Sequence, residues 1–156
     1  MRITFFGHRD FRWTEDIEKE VLDLLDSLIE GEAEFYLGEY GAFDNFAYAC
    51  VKKYKEKRGN TRLIMVTPYF HASYQENKLK SIREKYDEII YPPLENVPLK
   101  FSILFRNNWM VEQADVVIVY VNRDWGGAYT AYRYARRKKK RIINIAETAK
   151  NHKNIL

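Results

Sequence analysis

The sequence predicts an α/β fold: a mostly parallel sheet of about five strands, covered by helices on both faces as a three-layer sandwich. Three observations carry that expectation. Short β-rich apolar runs alternate with longer segments of helical periodicity, which implies βαβ units. The run Val116-Val117-Ile118-Val119-Tyr120-Val121 is continuously apolar, the pattern of a strand buried on both faces. Glycine-containing turns recur where strands give way to helices.

Met1 to Phe6 reads as the first strand, stopped at Gly7. Thr14 is placed to cap a helix, with Glu15 and Asp16 in its first turn, where the macrodipole favours acids. Ile17, Val21, Leu24, Leu25 and Leu28 mark its apolar face, and Gly31 closes it. Glu34 to Leu37 is a second strand, ended by Gly38. A second helix follows from about Phe43, with Phe43, Phe46, Ala47, Cys50, Val51 and Tyr54 inward. Cys50 is therefore a core residue rather than a nucleophile. Leu63 to Val66 is a third strand, ending at Thr67-Pro68.

From His71 to Pro98 the pattern weakens: a polar helical stretch over Gln75 to Lys85, then a short strand at Ile89-Ile90-Tyr91. Phe101 to Gln113 has helical spacing, with Leu104, Phe105 and Met110 expected inward. The buried run from Val116 follows, then a loop from Asn122 to Gly127, a helix over Ala128 to Lys140, and a last strand from Ile142 to Ile145. There is no internal repeat and no convincing linker, so the 156 residues read as one domain.

Apolar residues make up 46% of the chain, enough for a core, and charged residues 31%, enough for solubility. No apolar run approaches the ~18 residues of a membrane span. The start lacks the features of a signal peptide, and the lone Cys50 cannot form an internal disulfide. The expected compartment is the cytoplasm. The net charge of +4 suits an anionic ligand without demanding nucleic acid. Much of the excess sits in Arg136, Arg137, Lys138, Lys139, Lys140 and Arg141, a run that fits a solvated helix C-terminus.

In parallel sheets, ligands bind beyond the carboxyl ends of the strands. Three glycine-containing loops fall there: Gly7-His8-Arg9, the turn Gly38-Glu39-Tyr40-Gly41-Ala42-Phe43-Asp44, and Trp125-Gly126-Gly127-Ala128-Tyr129-Thr130. Glycine allows close backbone approach, and the free N–H groups of the following helix favour an anion. Arg9 and Arg106 can grip a phosphate with two parallel hydrogen bonds. His8 either bonds a ligand or ties a turn. Thr67 and Tyr129 sit at the same predicted edge. Glu39 and Asp44 are the candidate catalytic acids, although Asp44 also fits a helix cap. A metal site is not expected, because His8, His71, His152 and Cys50 lack ligand spacing. Walker-type, dinucleotide and serine-hydrolase motifs are absent.

Phe5-Phe6-Gly7-His8-Arg9 resembles the opening strand and turn of the SLOG superfamily, particularly its YpsA-like branch. That superfamily includes the LOG phosphoribohydrolases and DprA-type DNA-processing proteins. Gly38 to Asp44 resembles its second glycine-rich turn, with Glu39 where a second glycine is common. Arg106-Asn107-Asn108-Trp109-Met110, followed by Ala114-Asp115, resembles its arginine helix, and Trp125 to Thr130 its phosphate loop. The resemblance covers nearly the whole chain. It implies a Rossmann-like fold and a nucleotide or nucleotide-derived ligand; the residues expected to hold that ligand are Gly7, His8, Arg9, Gly38, Glu39, Gly41, Asp44, Thr67, Arg106, Gly126, Gly127, Tyr129 and Thr130.

The resemblance does not carry catalysis with it. LOG-type enzymes have an acid three positions after the loop threonine, where this chain has Arg133. The nucleophilic glutamate of nucleoside deoxyribosyltransferases falls on Ala131. The expected function is thus binding or sensing of a nucleotide-like small molecule, without strong catalysis. One alternative is an N-glycosidase using Glu39 or Asp44. Another is a nucleic-acid-binding protein using the 136–141 basic run, beside Tyr129, Tyr132 and Tyr134. Self-association into a homo-oligomer fits a domain of this size.

Overall fold

The computed structural model describes residues 1–148. Its strands are β1 (Arg2–Gly7), β2 (Ala33–Leu37), β3 (Thr61–Val66), β4 (Glu88–Ile90), β5 (Val116–Tyr120) and β6 (Arg141–Asn144). Its main helices are α1 (Glu15–Leu28) and α2 (Ala42–Arg58), then α5 (Ser102–Gln113) and α6 (Gly127–Arg137). Between them lie two single turns, α3 (Ala72–Tyr74) and α4 (Lys80–Ile82), flanking a wide π-type turn over Gln75–Leu79. His152 lies outside the described residues.

The strands form one sheet in the order β4-β3-β2-β1-β5-β6, with every neighbouring pair parallel. The short edge strand β4, expected at Ile89-Ile90-Tyr91 and found one residue earlier, makes the sheet six-stranded against the about five expected; only three of its residues pair, Glu88 to Ile90 against Ile64 to Val66. The architecture is Rossmann-like. The chain steps outward from β1 to β4, then returns past β1 to β5 and β6. Right-handed crossovers put the helices of these two excursions on opposite faces.

The core shows that division. Ile3, Phe5, Phe35 and Ile118 pack with Val21 and Leu25 of α1 and with Phe43, Phe46 and Val51 of α2. Phe6, Ile64, Val117 and Val119 pack on the other side, with Met110 and Val111 of α5 and Ala131 and Ala135 of α6. Alternate residues of β1 and β5 thus serve opposite cores, which is why the Val116 run is apolar without interruption. Phe43, 1% exposed, contributes about 1.5–3 kcal/mol by leaving water. Cys50 is fully buried, and its thiol is pushed up to about 12 by that burial, as befits a core residue.

Two expected details differ. On α5 the buried residues are Ser102, Arg106, Met110 and Val111, while Leu104 and Phe105 are 37% and 45% exposed. The helix is turned so that Arg106, one turn before Met110, faces inward. A buried arginine breaks the apolar pattern from which the helix phase was read. Helix α6 stops at Arg137, three residues early. Lys139 there adopts φ +55°, the Lys140 N–H reaches the Ala135 carbonyl, and the Lys139 N–H reaches that of Arg136. This is a Schellman motif with lysine where glycine is usual.

Candidate functional site

Between β1 and β5 the connections leave toward opposite faces, so a crevice opens at the carboxyl ends of these strands. It is a cavity of about 300 Å³. Of the sequence-predicted residues, Gly7, His8, Arg9, Gly38, Asp44, Arg106, Gly126 and Gly127 line it. Tyr40, Asn107, Arg123 and Trp125 join them. Glu39, Gly41, Thr67, Tyr129 and Thr130 do not line it.

Arg106 forms the charged floor. Its side chain reaches in from α5 and the residue is 3% exposed. Nη1 donates to the Val66 carbonyl at 2.8 Å, and Nε to the Asn107 side chain at 2.9 Å. Among the described residues, no carboxylate oxygen lies within 4.0 Å of its nitrogens. The nearest acid is Asp44, in the first turn of α2. Gly38 lies between the two: a Cβ there would sit 3.0 Å from both Arg106 Nη1 and Asp44 Oδ2. Only glycine leaves this gap open.

Asp44 accepts the Tyr40 N–H at 2.7 Å, across the start of α2. Burial pushes its carboxyl up to about 6, against the opposing pull of the Arg106 charge. Asp44 therefore combines the cap role expected of it with a place on the cavity wall. Glu39 is turned away. Its Oε1 accepts from Lys85 Nζ at 2.8 Å and from the Tyr86 hydroxyl.

The other loops divide into structural and open positions. A Cβ on Gly7 would lie 2.1 Å from the Phe43 ring, so Gly7 is fixed by core packing. Gly41 has φ +103° and its α-carbon faces the Arg9 backbone, where a Cβ would meet Arg9 Cα at 3.0 Å. His8 is 4% exposed, and its Nε2 accepts the Asn122 N–H at 3.2 Å, tying the β1 loop to the β5 loop. Burial, then the Arg123 charge, lowers its pKa, so it is held neutral. Thr67 closes its own turn, bonding the Tyr69 carbonyl and N–H. The Thr130 hydroxyl donates back to the Gly126 carbonyl at 3.0 Å. Tyr129 packs against Tyr132 and Arg133.

By contrast, Gly126 and Gly127 are open: apart from their chain neighbours and the adjoining helix backbone, no heavy atom of the described residues lies within 4 Å of a Cβ built on either. Gly126, with φ +92°, starts α6 without a side-chain cap. The first N–H groups of α6 therefore meet the cavity bare, as an anion site requires. Arg123 stacks on Trp125 at 3.9 Å and pairs with Asp10 through Nη1 at 3.0 Å, while its Nε is buried without a hydrogen-bond partner among the described residues. Trp125 is 61% exposed at the cavity mouth. Sequence reasoning missed Arg123, although its place just after the buried β5 run was the signal that could have found it.

The basic run lies elsewhere. Helix α6 begins at the carboxyl edge and ends at the amino edge, so residues 136–141 stand at the opposite end of the sheet. Lys140 Nζ donates to the carbonyls of Glu112 and Ala114, closing α5, and Lys138 pairs with Glu112 at 3.8 Å.

Fold and site together define a Rossmann-like domain with a cationic, glycine-opened cavity at its topological switch point. Solved structures share this fold. DNA processing protein A (DprA) from Helicobacter pylori, described for its single-stranded DNA binding mode, matches with a TM-score of 0.60 and 20% identity over 91% of this chain. DprA from Streptococcus pneumoniae matches with a TM-score of 0.60 and 19% identity over 90%. This chain spans 63% and 48% of those two chains. The fold is thus shared with part of DprA, one of the protein types named by the sequence resemblance. No protein-family profile matches the chain, and no curated protein does. No helix among the described residues is long and apolar enough to cross a membrane.

Proposed function

We propose that the cavity binds nucleotide units through their phosphates, and that the protein takes them as part of single-stranded DNA. The observation carrying this reading is Arg106, a buried guanidinium on the cavity floor with no carboxylate within 4.0 Å among the described residues. A buried charge without a close ionic partner is costly, and a phosphate that pairs with it offsets the cost. The uncapped start of α6 adds N–H donors to the same space. Trp125 offers an exposed ring on which a base can stack. The fold shared with a protein described as binding single-stranded DNA supports a strand over a free small molecule.

A second reading, a free nucleotide or nucleotide derivative as the ligand, draws on the depth of Arg106. Cleavage of an N-glycosidic bond would fall to Asp44, the candidate acid that lines the cavity. Fluorescence anisotropy with labelled oligothymidylate, beside calorimetry with thymidine monophosphate, tests these readings. The oligonucleotide is expected to bind more tightly, with affinity that falls as salt rises. Trp125→Ala and Arg106→Gln are expected to weaken it, with folding checked by circular dichroism. Failure of both ligands to bind sinks the proposal. Equal affinity for both ligands replaces the strand with the free nucleotide.

A further inference from the structure

A second groove of about 290 Å³ lies on the same edge of the sheet, beyond β3 and β4. Its walls include Tyr69, Phe70, His71, Tyr91 and Ser102. Phe70 is 63% exposed and stacks on Tyr91 with centroids 5.2 Å apart and planes 24° from parallel. One face of the Phe70 ring is thus supported by protein and the ring remains largely open to solvent. Leaving a large apolar ring in water is unfavourable, and one held rigid on a second ring is ready to stack with little loss of entropy.

The groove adjoins the Arg106 cavity. Tyr69, which lines the groove, interacts through its phenol with Tyr40 and lies in the field of Arg106, and both of those residues line the cavity. On α5, Ser102 faces the groove while Ile103 and Arg106 face the cavity. The boundary carries positive charge: Arg9 and Lys78 lie over the Tyr40 ring, at 5.0 and 5.2 Å. The ends of β3 and β5 are three strand spacings apart, about 14 Å. That span exceeds one nucleotide, so a ligand reaching from the loop after β5 to the loop after β3 holds more than one nucleotide unit.

We infer that the Phe70–Tyr91 groove is a second base-stacking subsite, occupied by a neighbouring nucleotide of the single strand whose phosphate sits at Arg106. This inference rests on the reading of the cavity given above. The cations Arg9 and Lys78 face the connecting backbone. Glu95 is also on the groove wall, where a carboxylate disfavours a phosphate but not a neutral base.

Phe70→Ala tests this directly, because the exposed ring can be removed without opening the core. Thymidine monophosphate and oligothymidylates of increasing length are titrated against the intact protein, Phe70→Ala and Trp125→Ala, with sedimentation run in parallel. Phe70→Ala is expected to weaken the longer oligonucleotides at least about five-fold, the lower end for loss of one stacked base. It is expected to leave monophosphate affinity unchanged, whereas Trp125→Ala weakens both. Oligonucleotide affinity that depends on Trp125 but not on Phe70 overturns the subsite and leaves the cavity reading standing. A Phe70→Ala effect confined to sedimentation assigns the ring to a protein contact and likewise overturns it. No binding of any thymidylate overturns the cavity reading, and the subsite with it.

Discussion

Replacing Asp44 with asparagine is expected to stabilise the protein at neutral pH and to change little in acid. Burial moves the Asp44 carboxyl from its ordinary 3.8 to about 6. That displacement corresponds to about 3 kcal/mol when the group is fully ionised. The carboxyl borders an open cavity, so water screens part of this, and about 1–3 kcal/mol is the expected effect. The sign follows from proton uptake. Between 3.8 and about 6 the folded protein holds the proton more tightly than the unfolded chain, so stability falls as pH rises through that window and is level above it. Asparagine carries no charge at any pH, and its side-chain oxygen can still accept the Tyr40 N–H, now made at 2.7 Å. His8 pulls the other way: its pKa is lowered from 6.5, so its contribution is lost as pH falls. Comparing variant with parent at each pH cancels His8. The assay is urea unfolding of both proteins at about pH 4 and about pH 7.5, with the slopes checked for equality. An equal gain at both pH values, or a less stable variant at neutral pH, refutes the account of Asp44 as a strained, desolvated acid.

Gly7→Ala drives a methyl group into the Phe43 ring, 2.1 Å from its nearest atom, and is expected to lower stability by about 1–3 kcal/mol or more, measured by thermal and urea unfolding. Gly127→Ala meets no atom of the described residues within 4 Å beyond its chain neighbours and its own helix backbone, and is expected to fold normally, so any loss of oligonucleotide affinity reports on the site itself. Lys139→Gly relieves a left-handed residue at φ +55° and is expected to add about 0.5–1 kcal/mol, visible as a higher melting temperature. Replacing Arg136, Arg137 and Lys139 with glutamine is expected to leave oligonucleotide affinity nearly unchanged; a large loss would move the binding surface to the amino edge of the sheet.

Much of the architecture is written locally. Thr14 caps α1 through the Ile17 N–H at 3.2 Å because a short hydroxyl side chain before an amphipathic run has that one good use. The β5 run and the period of α2 identify buried elements without knowledge of their neighbours. The carboxyl-edge rule then selects loops that the fold brings together, and Gly7, Arg9, Gly38, Asp44, Arg106, Gly126 and Gly127 line one cavity.

What the sequence determined by itself is therefore the alternation of elements, the parallel sheet and the edge on which the cavity lies, because period, caps and turns are local properties. What the tertiary structure decided is the role of each glycine and each charge. Gly7 answers to Phe43, Gly38 to the Arg106–Asp44 gap, and Gly126 to open space. Glu39 was drawn to Lys85 and Tyr86, 46 and 47 residues along the chain, while Arg123 was brought beside His8. Desolvation, close approach and pairing across such separations depend on which strands lie side by side, and the order β4-β3-β2-β1-β5-β6 is set by packing over the whole chain.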